Sequence, residues 1–139
     1  MTARESNSDG ISLTVRGGDA VSEASRAARA FGEAQWLTED ELARLCIIIE
    51  ELLANLYDHG GVTAEQTVEL RLESEPGGIR IIIVDPGTAF DPRGAPKPSE
   101  RPERGGGAGI DIVQAWAEFV SYETTIGGNR MELLLPVGT

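Results

Sequence analysis

The sequence predicts an α+β domain, a two-layer α/β sandwich in which three helices cover one face of a mixed or antiparallel sheet. Apolar and polar residues alternate in several short segments, which is typical of strands with one buried face. Three other segments repeat apolar residues every three or four positions, which is typical of amphipathic helices. The 139 residues fit one domain with its own core, so a single domain is expected over 1–139.

The predicted elements follow the order strand, two helices, two strands, loop, helix, two strands. Residues 1–10 are polar and are predicted to be flexible. The first helix follows Asp19, the second begins at the capping box Thr38-Glu39-Asp40-Glu41 and ends before Gly60-Gly61, and the third spans 109–119. Strands are predicted at 11–15, 67–73, 79–84, 120–125 and 131–135.

Composition and charge narrow the classes of partner. The net charge of −11 disfavours nucleic acid and anionic membranes, because both are polyanions. The single cysteine, Cys46, excludes an internal disulfide and lies in an apolar run, as a small core residue does. Neither a signal-peptide pattern nor a membrane-spanning apolar run is visible, so a soluble cytoplasmic protein is expected.

The second predicted helix carries two polar residues four positions apart, Glu51 and Asn55. Residues with this spacing lie on one helix face, about one turn from each other. Asn is a poor residue inside a helix, because its side chain competes for backbone hydrogen bonds. Taken alone, the pair is most simply a partly exposed polar stripe. The adjacent Glu50 is a second candidate carboxylate, but only Glu51 has an Asn four residues later.

An Asp-Pro-Gly sequence, Asp85 to Gly87, directly follows the predicted central strand. Such a sequence is usually only turn chemistry. In a site, the carboxylate of Asp85 would accept a hydrogen bond from an exocyclic amine. Gly87 would then let a flat ring approach the backbone.

A glycine-rich segment, 103–109, leads into the third predicted helix. Glycines before a helix expose free backbone N–H groups at the positive end of the helix dipole, an arrangement that suits phosphate. Arg104 adds a cation that could pair with a terminal phosphate. The segment is neither a GxxxxGK[ST] P-loop nor a GxGxxG sequence, so alone it is weak evidence.

Taken in order, these three motifs resemble the Bergerat-fold (histidine-kinase-like) ATPases. The resemblance rests on Glu-x-x-x-Asn on a helix, Asp-x-Gly after a strand and Gly-x-Gly opening a helix, and it covers nearly the whole chain. Within that superfamily, Asp-x-Gly-x-x-Phe-Asp-Pro at 85–92 and Glu-Arg-Gly-Gly-x-x-Gly at 103–109 look most like the bacterial anti-sigma-factor serine/threonine kinases.

The resemblance implies ATP and Mg²⁺ as cofactors. Glu51 would be the general base that takes the proton of an incoming hydroxyl, and Arg104 would stabilise charge on the transferring phosphoryl group. Asn55 would hold the Mg²⁺ ion. The remaining implied nucleotide contacts are Asp85, Gly87, Phe90, Gly105, Gly107, Ala108, Gly109 and Ile110.

The resemblance also implies a lid over ATP at 92–106. The family often has Gly-Thr before its last strand, whereas this chain has Gly128-Asn129, which weakens any role for a hydroxyl there.

The function implied is an ATP-dependent protein serine/threonine kinase and anti-sigma factor. Its partners would be a sigma factor and an anti-anti-sigma protein that is phosphorylated on serine, and the family suggests a homodimer. One alternative is a non-catalytic module that senses ATP or ADP and switches partners. Another is a detached ATPase domain that works with a separate histidine-bearing protein.

Overall fold

A computed structural model describes residues 3–6, 10–87 and 108–138 of the chain. It contains six strands and three α-helices in these ranges. They are, in chain order, β1 Ala3–Ser6, β2 Gly10–Arg16, α1 Ala20–Ala34, α2 Glu39–Asp58, β3 Thr67–Glu75, β4 Gly78–Asp85, α3 Ala108–Trp116, β5 Glu118–Thr125 and β6 Gly128–Pro136.

The six strands form one sheet in the order β1-β2-β3-β4-β6-β5, and every neighbouring pair is antiparallel. The predicted α+β architecture is therefore confirmed. Of the two sheet types predicted, mixed or antiparallel, the sheet is antiparallel. Strand β1 was not predicted, since residues 1–10 were expected to be flexible. Its four residues, Ala-Arg-Glu-Ser, carry no apolar alternation that could signal a strand. They pair with β2 through the backbone.

The core lies between the helices and one face of the sheet. Along β4 and β6, every second residue points into this core, and the two rows are Ile79, Ile81 and Ile83, and Met131, Leu133 and Leu135. On the alternate positions of these strands, Arg80 forms ion pairs with Glu75 and Glu132. One sheet face is thus apolar and the other carries paired charges.

The third helix is shorter than predicted. It ends at Trp116, where the N–H of Ala117 donates to the carbonyl of Val113, and β5 begins at Glu118. Phe119 therefore belongs to a strand and not to the helix, because it pairs with Leu133 of β6. No helix among the described residues is long and apolar enough to cross a membrane.

The start of α2 is fixed by the predicted capping box. The Thr38 hydroxyl accepts from the N–H of Glu41 at 3.1 Å, and the Glu41 carboxylate accepts from the N–H of Thr38 at 2.9 Å. The same carboxylate accepts from the N–H of Gly138 at 2.8 Å, and these backbone donors lower the pKa of Glu41. Residues that follow β6 are thereby tied to the N-terminus of α2.

The end of α1 places a large aromatic residue in a backbone conformation that favours glycine. Leu37 N–H donates to the Gly32 carbonyl and Trp36 N–H to the Glu33 carbonyl, both at 3.1 Å, as in a Schellman motif. Trp36 occupies the left-handed position of this motif, with φ of 62°, and its side chain is 91% exposed. The position therefore carries backbone strain that no burial of the indole offsets.

We expect Trp36→Gly to be more stable than Trp36→Ala by about 1 kcal/mol, because glycine adopts the left-handed conformation without the Cβ penalty. The measurement is urea unfolding of both variants and the wild type. Trp36→Ala is the matched control, since it removes the exposed indole while keeping the Cβ. Equal stability of the two variants would contradict the strain inferred at this turn.

Candidate functional site

Two backbone segments meet where α2 and β4 end. A Cβ placed on Gly87 would collide with the carbonyl oxygen of Gly60 and lie 3.0 Å from Cγ2 of Val62. Only glycine fits at position 87, so the chain after β4 can lie directly against the chain after α2. The Asp-x-Gly motif is thereby brought to the C-terminal end of the helix that carries Glu51 and Asn55.

The carboxylate of Asp85 lies at the end of the core-facing row of β4. Its side chain follows Ile83 in the alternation, and the residue is only 4% exposed. Oδ1 accepts from the N–H of Gly87 at 2.8 Å and from Nδ2 of Asn129 at 3.2 Å. Burial raises the pKa of Asp85, while these two donors oppose the rise.

Asn129 was noted in the sequence only as a departure from the Gly-Thr of the family, but in the structure it belongs to this site. It is 2% exposed, and its Nδ2 also donates to the carbonyl of Gly87, at 3.1 Å. The strand register places it directly opposite Asp85. The signal was present in the sequence, since Met131, Leu133 and Leu135 set a core-facing alternation whose next position toward the N-terminus is residue 129.

A second glycine allows this pairing. A Cβ on Gly128 would collide with the carbonyl oxygen of Asp85 and lie 2.7 Å from Cα of Pro86. The start of β6 therefore lies directly against the Asp-Pro-Gly turn, so the hairpin that joins β5 and β6 contributes to the site.

The two carboxylates of the Glu50-Glu51 pair have different surroundings. Glu50 Oε2 accepts from the Ser25 hydroxyl of α1 at 2.6 Å, so it links two helices. Within the part of the chain that the structure describes, the Glu51 carboxylate has no hydrogen-bond or ion-pair partner. Glu51 and Asn55 are both half-buried on α2.

The face of α2 that carries Glu51 is turned toward α3. The guanidinium of Arg44 lies 5.7 Å from the ring centroid of Trp116, the last residue of α3. Seven residues make nearly two full turns of an α-helix, so Glu51 lies on the same face of α2 as Arg44. Asn55 is one turn further along this face.

Helix α3 runs antiparallel to α2. Strand β5 begins two residues after α3, and its Glu118 pairs with Leu134, while Asn129 pairs with Asp85 at the other end of β6. The C-terminus of α3 is therefore at the end of the sheet remote from Asp85. Because the nine-residue helix leads to that end, its N-terminus points toward the Asp85 end, where α2 finishes.

Several predicted site residues lie outside the described residues. They are Phe90, Arg104, Gly105 and Gly107, together with the predicted lid at 92–106. Ala108, Gly109 and Ile110 form the first turn of α3 by their backbone. This turn is where a helix offers unsatisfied N–H groups to an anion.

Asn55 is the predicted Mg²⁺ ligand, and an amide oxygen is a hard donor of the kind that this ion takes. No group of three or more His, Cys, Asp or Glu side chains among the described residues could hold a metal. Mg²⁺ commonly takes one or two protein oxygens and completes its shell with phosphate and water. The amide oxygen of Asn55, beside the end of α2 that faces Gly87, fits that pattern.

Comparison with known protein families gives an independent finding. The family model described as "Histidine kinase-like ATPase domain" matches residues 18–135. The match includes α1 through nearly all of β6, and with them Glu51, Asn55 and Asp85. No curated protein matches the chain.

Asp85→Asn is expected to stabilise the isolated protein near neutral pH. The raised pKa means that the folded protein holds the proton more tightly than the unfolded chain does. The free energy of unfolding of the wild type therefore falls as pH rises from the unfolded value near 3.8 through the raised folded value. Asn keeps the acceptor for Gly87 and Asn129 without the buried charge.

The check is the thermal midpoint of both proteins near neutral pH and below the ordinary pKa of an aspartic acid. The advantage of the variant should be largest at neutral pH and disappear in acid. A variant less stable than the wild type at neutral pH would contradict the inferred cost of burying this carboxylate.

Proposed function

The chain belongs to the histidine kinase-like ATPase domain family, and on this premise we propose that it is an ATP-dependent protein serine/threonine kinase that also acts as an anti-sigma factor. Family membership carries ATP binding and an ATPase or phosphotransfer role. The proposal adds two points to this. The phosphoryl group is transferred to a protein hydroxyl, and the protein partners are those of an anti-sigma factor.

The observation that carries the proposal is the position of Glu51. Its half-buried carboxylate is one turn from Asn55, on the α2 face toward α3 and at the half of α2 that leads to Asp85. Glu50 already bonds to Ser25, whereas no described residue engages Glu51. A carboxylate available beside the phosphate end of a nucleotide site can accept the proton of an incoming serine or threonine hydroxyl.

The nucleotide would lie between the Asp85 turn and the first turn of α3. Asp85 would accept a hydrogen bond from the exocyclic amine of adenine, with the base over the backbone at Gly87. The N-terminus of α3 would bind phosphate through its free N–H groups, with Gly105, Gly107 and Gly109 contributing and Arg104 stabilising negative charge. ATP, when bound, supplies the transferable γ-phosphoryl group.

Asn55 would ligate Mg²⁺ by its amide oxygen. The ion would take its other ligands from phosphates and water. Glu51 and Asn55 both lie in the C-terminal half of α2, which leads toward Gly60. A hydroxyl that reaches Glu51 would then approach the phosphates near the ion.

The proposed partners are a sigma factor and an anti-anti-sigma protein, the latter phosphorylated on a serine. They follow from the resemblance of the 85–92 and 103–109 motifs to the anti-sigma-factor kinases. The net charge of −11 supports protein partners over nucleic acid.

The competing function is an ATP- or ADP-sensing module that switches partners without phosphotransfer. Such a module would need Asp85 and Asn55 but not Glu51.

Asn55→Ala should lose most of the gain in nucleotide affinity that Mg²⁺ gives the wild type, because it removes the oxygen ligand. A titration with a fluorescent ATP analogue, with Mg²⁺ and with a chelator, measures this gain. Asn55→Asp is the matched control, since it restores an oxygen at the same position. An unchanged magnesium effect in Asn55→Ala would exclude Asn55 as a ligand.

Glu51→Gln should bind ATP like the wild type but transfer phosphate to an anti-anti-sigma protein about 100-fold more slowly, because the carboxamide cannot take the hydroxyl proton. Phosphoserine formed on that protein in Mg-ATP is the readout. Glu50→Gln is the control, and it should retain transfer. Wild-type protein that binds ATP yet phosphorylates neither serine nor threonine on such partners would support the non-catalytic module instead.

A further inference from the structure

Two buried polar side chains face each other at the end of the sheet where the nucleotide is proposed to bind. Among the described residues, Asp85 and Asn129 are the polar side chains that are almost fully enclosed, at 4% and 2% exposure. Both occupy positions where the strand alternation would place an apolar residue. Enclosing a carboxylate and an amide costs free energy unless they bond to each other or to a ligand.

The amide of Asn129 uses both of its N–H groups in this arrangement. One bond goes to Asp85 Oδ1 and the other to the carbonyl of Gly87. The N–H of Gly87 also donates to Asp85 Oδ1. These three bonds fix the rotamer of the carboxylate and the direction of the Gly87 peptide, and no hydrogen bond from a described residue engages Oδ2.

We propose that Asn129 is a positioning residue that determines base selection, because it holds Oδ1 of Asp85 against the protein and leaves Oδ2 to accept the exocyclic amine of the base. This inference rests on the proposed nucleotide site and adds to it the residue that orients the reading carboxylate. Asn129 acts through Asp85, since its side-chain N–H groups already donate to Asp85 and to the Gly87 carbonyl.

The same bonds oppose the effect of burial on the ionisation of the Asp85 carboxyl. Burial favours the protonated carboxyl, and the donors from Gly87 and Asn129 favour the anion. No described charge contributes to this balance. Asp58 and His59 at the end of α2 are exposed, and Arg130, the next residue of β6, points to the opposite face and pairs with Glu132.

The test compares ATP with inosine triphosphate, which carries a carbonyl in place of the exocyclic amine. Calorimetric titrations would use the wild type, Asn129→Leu and Ile126→Ser. Leu has a similar size to Asn and no donor, while Ile126 is exposed at the tip of the same hairpin and serves as the control. We expect Asn129→Leu to weaken ATP binding about tenfold, as loss of a bond to a charged group does.

Binding of inosine triphosphate by Asn129→Leu should stay near the wild-type value, so the preference for ATP should collapse. Equal weakening of both nucleotides would indicate a structural role only and overturn the inference. An unchanged preference would overturn it as well. Ile126→Ser should retain the wild-type preference.

A second variant keeps the inference testable if Asn129→Leu does not fold. Asn129→Asp preserves the shape, replaces the donors by a second carboxylate and so raises the pKa of Asp85 further. The pH below which ATP binding is lost should therefore move upward, while binding of inosine triphosphate should change less. A pH midpoint equal to that of the wild type would contradict the positioning role.

These outcomes separate the two proposals. Wild-type protein that binds no ATP would overturn the proposed function and this inference together. Wild-type binding that Asp85→Asn abolishes, combined with an unchanged ATP preference in Asn129→Leu, would overturn only the role of Asn129.

Discussion

The candidate site depends on one contact between backbones, the close approach of the Asp85 turn to the segment that ends α2. Gly87 allows it because any side chain would meet the Gly60 carbonyl, and Gly128 allows the matching approach of β6. With both approaches made, a buried carboxylate lies between two strands and a helix end. The two glycines therefore allow the backbones to approach, and the buried polar side chains at this point are Asp85 and Asn129.

The orientation of the helices follows from contacts at the opposite end of the domain. The Glu41 carboxylate bonds to Gly138 and so places the start of α2 where β6 ends. Arg44 lies over Trp116 and so places the C-terminus of α3 beside the N-terminal part of α2. The C-terminus of α2 and the N-terminus of α3 consequently both point toward the Asp85 end of the sheet. Interactions remote from the site thus determine which helix ends can face a nucleotide.

Local signals in the sequence sufficed for most of the fold. The capping box at Thr38 and the apolar run from Ile79 to Val84 predict their elements because each depends on near neighbours. Strand β1 and the end of α3 were missed, since both depend on pairing with strands distant in sequence. The role proposed for Asn129 was missed for a similar reason. The alternation along β6 marks position 129 as core-facing, but only the sheet register shows that Asn129 lies opposite Asp85.

Two carboxylates at one end of the domain are suited to different tasks by their surroundings. Asp85 is enclosed, bonded through Oδ1 and fixed in direction, as recognition of a base requires. Glu51 is half-buried and bonded to no described residue, which leaves it able to accept a proton from a group that arrives from outside. A substitution at one carboxylate should therefore affect binding, and a substitution at the other should affect transfer. Because they lie on separate elements, selection could remove the catalysis proposed for Glu51 while retaining the nucleotide recognition proposed for Asp85. The kinase and the partner-switching module are thus alternatives that differ at one helix position and share the rest of the site.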